Sequence, residues 1–143
     1  MENTAVGWYS LADTTTGEFN TAIGRRSLKS NVTGSDNVGV GFNALENNTA
    51  SDNTACGFQT LRNNTSGTRN TAVGYEALTA NTTGGNNVAI GYQADASTNA
   101  VAIGITASVE DGSGVAIGTG STSKGANGVA IGNSADASDN AVA

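Results

Sequence analysis

Carboxylates are the most numerous side chains in this sequence that could carry out acid–base chemistry. Its 143 residues include twelve Asp and Glu, no His and a single Cys. Enzymes that cleave glycosidic bonds use two carboxylates held at a fixed separation. The twelve are scattered over polar stretches: Glu2, Asp13, Glu18, Asp36, Glu46, Asp52, Glu76, Asp95, Glu110, Asp111, Asp136 and Asp139. No base suited to neutral pH and no nucleophile set accompanies them, so we expect no catalytic residue and no enzyme. A glycosidase of the trimeric spike type is the enzymatic alternative.

Two other kinds of site have a weaker signal. A threonine column at Thr4, Thr21, Thr54 and Thr71 has the regularity of an ice-binding surface, but Val38 and Val88 interrupt it. The Ser-Asp-Asn corners before Thr54 and Val38 offer oxygen ligands for calcium, yet the Gly/Asp nonapeptides of calcium-binding β-rolls are missing. We therefore expect no metal and no cofactor.

Aromatic residues provide the ligand-binding chemistry that remains, because aromatic faces stack on sugars and peptides. Trp8, Tyr9, Tyr75 and Tyr92 are the candidate ligand contacts. The alternative is that these rings only pack on one another, as aromatic side chains generally favour burial.

One pentapeptide positions these groups, because it recurs along the chain. It reads Asn-Thr-Ala-Val-Gly at residues 70–74 and returns eight times with small changes, followed by the partial copy Ala141-Val142-Ala143. Short fixed periods are typical of one structural unit stacked many times. The sequence therefore predicts an all-β rod, a parallel β-solenoid or β-roll.

The glycines that close the copies set the period. Their separations are 17, 17, 16, 17 and 17 residues up to Gly91, and then 13, 14 and 14. They are Gly7, Gly24, Gly41, Gly57, Gly74, Gly91, Gly104, Gly118 and Gly132. We predict long coils over 1–91 and short coils over 92–143, with a turn at each glycine that other residues enter only with steric strain.

Alternation along a strand places the second and fourth motif positions on one face and the third on the other. Because β-branched residues favour strands with a buried face, we expect the fourth position to form the core. These residues are Val6, Ile23, Val40, Cys56, Val73, Ile90, Ile103, Ile117 and Ile131. Cys56 is then an inert packing residue, with a reactive thiol as the alternative.

The third position is almost always alanine, which indicates that another backbone lies close to this side of the strand. We expect it to contact neighbouring copies of the chain, through Ala5, Ala22, Ala55, Ala72, Ala89, Ala102, Ala116 and Ala130.

The remainder of each coil is predicted to hold a second short strand and polar corners. A helix over 75–80 is the competing interpretation, but one or two turns are too short to be stable alone. Stacking should then align the residues after the glycines in one column, with Arg25 between two aromatic rings.

Composition favours association of several chains. Only 37% of residues are hydrophobic, which is too few for a slender single coil to offset the entropy of ordering it. We expect a homotrimer, whose net charge of 3 × −6 = −18 would repel nucleic acid and anionic membranes. The sequence has no signal peptide or membrane-spanning run, and the repeats begin near Met1 and break off at Ala143. We therefore expect a segment of a longer protein, or a protein whose ends are covered by another component.

The short copies, such as Asn99-Ala100-Val101-Ala102-Ile103-Gly104 at their 13 to 14 residue spacing, resemble the head repeats of YadA-type trimeric autotransporter adhesins. The long copies, such as residues 70–78 with the corner 81–84, are similar to repeats of phage tail-fibre proteins. The resemblance implies a left-handed parallel β-roll in which three chains pack side by side, and a fibre that attaches a cell or particle to its target. The 17-residue coil is larger than the adhesin repeat, and the adhesin anchor and stalk are missing.

The resemblance implies an extracellular location, on a virion tail fibre or a bacterial cell surface. The expected function is a structural and adhesive fibre segment that mediates attachment to a host or cell surface, most consistent with a phage or phage-like tail fibre. The head of a bacterial adhesin is the alternative. The expected partners are copies of the chain and a glycan or protein receptor, without membrane insertion.

Overall fold

The structure is a computed structural model that describes residues 2–143, and it is a parallel β-solenoid of about nine coils. Each pentapeptide forms one three-residue strand. These strands are β1 (Thr4–Val6), β2 (Thr21–Ile23), β3 (Val38–Val40), β4 (Thr54–Cys56), β5 (Thr71–Val73), β6 (Val88–Ile90), β8 (Val101–Ile103), β10 (Val115–Ile117) and β12 (Val129–Ile131). They form one nine-stranded sheet in chain order. At about 4.8 Å per strand this sheet is about 40 Å long.

Every pair of neighbouring strands in this sheet is parallel and aligned motif to motif. Ala5 pairs with Ala22, Ala72 with Ala89, and Ala89 with Ala102 across the change of period. The register therefore places each motif position above the same position of the previous coil.

A second sheet exists only beside the short coils. It contains β7 (Asp95–Ala96), β9 (Ser108–Val109), β11 (Thr122–Ser123) and β13 (Asp136–Ala137), paired in parallel. The predicted second strand is thus present over 92–143. It is wrong for the long coils, where the equivalent stretch is a series of turns, and residues 75–80 are turns instead of a helix.

The turns of the long coils depend on leucines with left-handed backbone conformation. Leu28, Leu45, Leu61 and Leu78 have φ between 49° and 54° and no exposed surface. This conformation bends the chain while the leucine N–H donates to the next coil, as from Leu61 to the Ala77 carbonyl oxygen at 3.0 Å. Leucine rarely adopts it, because Cβ crowds the following carbonyl group. Burial of the side chain offsets that strain.

The motif glycines form a column with φ between 128° and 142°. A Cβ placed on Gly74 would lie 2.3 Å from the Gly91 carbonyl oxygen of the next coil. Only glycine fits, because both the backbone angle and the close approach of the next coil exclude a side chain.

The interior of the long coils contains a ladder of asparagines that open the motif. The Asn53 backbone N–H donates to Asn37 Oδ1, and the Asn70 N–H donates to Asn53 Oδ1, both at 3.0 Å. Each side-chain amide also donates to a backbone carbonyl of the next coil, as from Asn53 Nδ2 to the Gly67 oxygen at 2.9 Å. Asn20, Asn37, Asn53, Asn70 and Asn87 are at most 1% exposed. The ladder therefore satisfies buried backbone groups that the turns leave without partners.

No helix long and apolar enough to cross a membrane occurs among the described residues.

Candidate functional site: the outward sheet face and its aromatic column

The two faces of the nine-stranded sheet differ in the size of their side chains. The third motif position points into the coil, where Ala22, Ala55, Ala72, Ala89, Ala102, Ala116 and Ala130 have no exposed surface. The second and fourth positions point outward, and Val6, Ile90 and Ile131 are 56%, 39% and 58% exposed. Because successive coils leave only a narrow interior, a methyl group is the largest side chain that fits at the third position.

This arrangement overturns two predictions. The residues predicted as the core of the repeats, from Val6 to Ile131, lie on the outward face of the single chain, and Cys56 among them is exposed. The alanines predicted to contact neighbouring copies are enclosed in their own coil, with Ala5 of the first coil as the exposed exception. β-Branched residues favour a strand whichever of its faces is covered. Beside the strands of the nine-stranded sheet the interior holds only alanine methyl groups and Gly39, so the larger valines and isoleucines face outward.

The outward face is an uninterrupted apolar row in the short coils. Aligned pairing stacks Val101, Val115 and Val129 in one line and Ile103, Ile117 and Ile131 in the next. In the long coils threonine replaces the valine of the first line in four of the six strands. A parallel sheet normally has both faces covered, and a long apolar face open to water marks an interaction surface.

An aromatic column follows the glycines along the same edge of the long coils. Phe42 stacks on Phe58, Phe58 on Tyr75 and Tyr75 on Tyr92, with ring centroids 5.2, 4.9 and 5.3 Å apart. The guanidinium of Arg25 lies 4.7 Å from the Trp8 ring and 5.2 Å from the Phe42 ring. The predicted column and the predicted Arg25 sandwich are both confirmed.

The column packs on itself and remains open to solvent. Trp8, Tyr9, Tyr75 and Tyr92 are 55%, 50%, 43% and 46% exposed, and Tyr9 meets Trp8 edge-on at 4.4 Å. Partial desolvation and then the nearby Glu76 carboxylate raise the pKa of Tyr75. Both interpretations of the rings, packing and ligand contact, are therefore compatible with their positions. Their role as ligand contacts stays a prediction.

The column changes at the end of the long coils. Ile105, Thr119 and Asn133 follow the next three glycines, and Ile105 is 53% exposed. The aromatic edge is therefore confined to the first part of the rod.

One of the carboxylates forms ion pairs between coils. Glu46, whose side chain is 9% exposed, accepts a hydrogen bond from Arg62 Nε at 2.9 Å and lies 3.6 Å from Arg26 Nη1. Asp36 and Asp52, from the corners considered for calcium, have φ of 59° and 64°. The described residues contain no group of three or more His, Cys, Asp or Glu that could hold a metal ion.

The buried asparagines are the residues that sequence reasoning missed. Their signal was present, because asparagine opens the motif in all six long coils and is replaced by Ala100, Gly114 and Gly128 in the short ones. An asparagine that recurs at one position of a turn-rich repeat is also typical of a solvent-exposed polar corner. Its burial shows that the amide pairs with the backbone of two coils.

Comparison of the chain with protein families, curated proteins and solved structures finds no match.

Proposed function

We propose that three copies of the chain pack side by side through the outward face of the nine-stranded sheet and form a rigid, adhesive fibre segment. The observation that carries the proposal is the row of outward-facing valine and isoleucine side chains from Val6 to Ile131, which are exposed or half-buried in the single chain and are interrupted at the fourth motif position only by Cys56. The proposal keeps the predicted homotrimer but assigns its contacts to a different surface, because the alanines lie inside the coil.

The energetics favour covering this face. Burying a Val or Ile side chain fully contributes about 1.5–3 kcal/mol relative to leaving it exposed, and the outward positions of the nine coils hold thirteen such side chains, the others being threonine or cysteine. A single coil encloses mostly alanine, so its own interior contributes much less per residue. Shared burial between copies adds the apolar contact that the slender coil lacks.

The number of copies, three, comes from the resemblance of the short coils. The short coils resemble the heads of trimeric adhesins, which implies left-handed coils and three-fold packing. The proposal keeps that handedness.

The function of such a rod is mechanical and adhesive. Its surface repeats at a fixed spacing, so weak contacts with a glycan or protein receptor would be multiplied by avidity. The aromatic column supplies the contact surface, with Trp8, Tyr75 and Tyr92 as its most exposed members. We place the rod in a phage or phage-like tail fibre, in the extracellular space. The head of a bacterial surface adhesin is the second candidate, favoured by the short-coil spacing.

The assembly is tested by introducing charge into the apolar row. The double variant Ile103→Asp, Ile117→Asp should convert a particle of about 42 kDa (3 × 14.1 kDa) into one of 14.1 kDa by light scattering. Ser113→Asp, at an exposed loop residue of the same region, is the matched control and should leave the mass unchanged.

The adhesive role is tested with the same proteins, fluorescently labelled, on panels of intact bacterial and animal cells. Saturable binding to at least one cell type is expected, and the charged double variant should bind at least 100-fold more weakly because avidity is lost. Absence of binding to every cell type by the associated protein would contradict the adhesive role. Equal binding by the double variant would contradict avidity.

A further inference from the structure

The change from long to short coils leaves a notch in the side of the rod. Between Leu78 and Gly84 the last long coil has five residues, 79–83, which we call the arm. In the next coil the single residue Ala96 separates Asp95 and Ser97, which take the places of Leu78 and Gly84. The arm therefore has no arm of the following coil against it. Two adjoining cavities of about 360 and 240 Å³ lie at this step and share Ala80 and Asp95 in their walls.

Backbone donors of the arm face this gap without partners. In earlier coils some of the equivalent N–H groups donate to the next arm, as from Asn47 to the Arg62 oxygen at 3.1 Å and from Thr65 to the Thr82 oxygen at 2.8 Å, whereas the N–H groups of Val32, Thr33 and Asn63 do not. Among residues 2–143 the N–H groups of Ala80, Thr82 and Thr83 have no acceptor. The notch is thus the open end of a hydrogen-bond ladder.

One side chain of the arm is also left half-paired. A second asparagine ladder runs through the arms, in which Asn64 Nδ2 donates to Asn48 Oδ1 and Asn81 Nδ2 donates to Asn64 Oδ1 at 2.9 Å. Asn81 Oδ1 is the last acceptor of this ladder, and no described residue donates to it. The ladder does not extend back to Asn31, whose Oδ1 also has no donor because Asn48 Nδ2 donates to the Ala50 oxygen. Asn81 Oδ1 is positioned to accept from the amide of another asparagine.

Charge at the notch selects a basic neighbour. Two residues after the motif glycine, Arg26 contacts Glu46, which is five residues after the glycine of the next coil, at 3.6 Å. Glu76 occupies the position of Arg26 in the last long coil, with Gln93 Nε2 donating to it at 2.8 Å. A basic side chain placed in the notch, five positions along from where the glycine of a following coil would lie, would therefore pair with Glu76, with the acidic and basic partners exchanged relative to Arg26 and Glu46. Asp95 adds a second carboxylate to the cavity wall.

We propose that the notch binds an extended peptide segment of a partner protein, in which asparagine follows a basic residue by two positions. Its carbonyl groups would accept from the arm N–H groups, its asparagine would donate to Asn81 Oδ1, and its basic residue would pair with Glu76. Residues 62–64 of this chain, Arg-Asn-Asn, have that pattern within their own arm. The walls contain no aromatic ring for stacking on a sugar, which favours peptide over carbohydrate. No residue of the walls belongs to the nine-stranded sheet, so the site does not depend on association of copies.

The test uses a fluorescein-labelled peptide with the sequence of residues 61–67, titrated with the whole chain and followed by fluorescence anisotropy. Saturable binding is expected. Glu76→Gln should weaken it about fivefold at low salt and less at 0.5 M salt, as for a partly exposed ion pair. A peptide with alanine in place of its second asparagine should bind about tenfold more weakly. Glu110→Gln removes an exposed carboxylate outside the notch and should change nothing.

A variant in which the sequence of the arm replaces Ala96 fills the notch and should abolish binding. If that insertion variant does not fold, Glu76→Gln provides the test, because this substitution keeps the size of the side chain. No saturation at millimolar concentration would overturn the proposal. So would unchanged binding to a folded, filled variant, or displacement of the peptide by a neutral disaccharide, which would identify a carbohydrate site.

Discussion

The long coils and the short coils of this solenoid solve the same packing problem with different interiors. The long coils enclose one leucine and two asparagines in most turns, whereas the short coils enclose mainly Ala96, Ala102, Val109, Ser123 and their equivalents. The outward sheet face continues across both regions without a change of register. The difference teaches that the nine-stranded sheet keeps successive coils aligned whatever their length. The length of the arm determines how many buried backbone N–H and C=O groups need a side-chain hydrogen-bond partner.

The largest expected effect is on the asparagine ladder, which only the long coils have. Asn53→Ala would leave the buried Asn70 N–H without an acceptor, and it would remove the hydrogen bonds from Asn53 Nδ2 to the Gly67 oxygen and from Asn70 Nδ2 to Asn53 Oδ1. The Gly67 oxygen keeps its hydrogen bond from Asn64 Nδ2. At about 2 kcal/mol for the orphaned donor and about 1 kcal/mol for each lost side-chain hydrogen bond, the loss is about 4 kcal/mol. Thermal unfolding at fixed protein concentration measures it, with exposed Asn133→Ala as the control. A loss as small as that of the control would show that the ladder is not needed.

The leucine column gives the next largest effect. Leu61→Ala should cost about 3 kcal/mol, because a fully buried side chain is lost from a coil that cannot collapse. Leu61→Gly should be no less stable than Leu61→Ala, since φ of 49° strains alanine and not glycine. If the Leu61→Gly variant is clearly less stable than the Leu61→Ala variant, as is usual elsewhere in proteins, the left-handed conformation at this position is contradicted.

Interior size in the short coils is tested by Ala102→Leu. The added carbons must enter a space from which water is excluded, so we expect a loss of about 2 kcal/mol or more by overpacking. Thr98→Leu, on an exposed residue of the same region, should leave the melting temperature nearly unchanged. If both variants melt alike, the alanine side of the strand is not the interior.

The smallest effect concerns ion pairs. Arg62→Met leaves the nearly buried Glu46 with only the more distant Arg26, and should cost about 1 kcal/mol of unfolding free energy after allowance for solvent screening of the arginine.

Lys124→Met, in the short coils, should have no measurable effect on stability at neutral pH. The hydrogen bond and the charge of Asp136 raise the pKa of Lys124, so any contribution of this pair is complete below pH 10.5 and is lost as pH rises through the raised pKa. Urea unfolding at pH 7 and pH 11 compares the two pairs, and equal losses would contradict the difference in burial.

Much of the fold could be predicted from the sequence, because the pentapeptide recurs at spacings that only stacked coils explain. The glycine column and the aromatic column follow from stacking alone. The direction of the motif side chains could not be predicted from β-propensity, since Ile103 is suited to a strand whether its own coil or a neighbouring copy covers it. The left-handed leucines were also hidden, because propensity argues against leucine at positive φ and only the backbone of the turn requires it.

The account depends on neighbouring copies covering the outward face, and Cys56 is a natural probe of that face. In the single chain this thiol is exposed on β4. The direct measurement is the rate at which a thiol reagent modifies Cys56 in the native protein, compared with the rate in urea. We predict at least 100-fold slower modification of the native protein, and restored reactivity in the Ile103→Asp, Ile117→Asp variant. A native thiol that reacts as fast as the unfolded one would contradict the account.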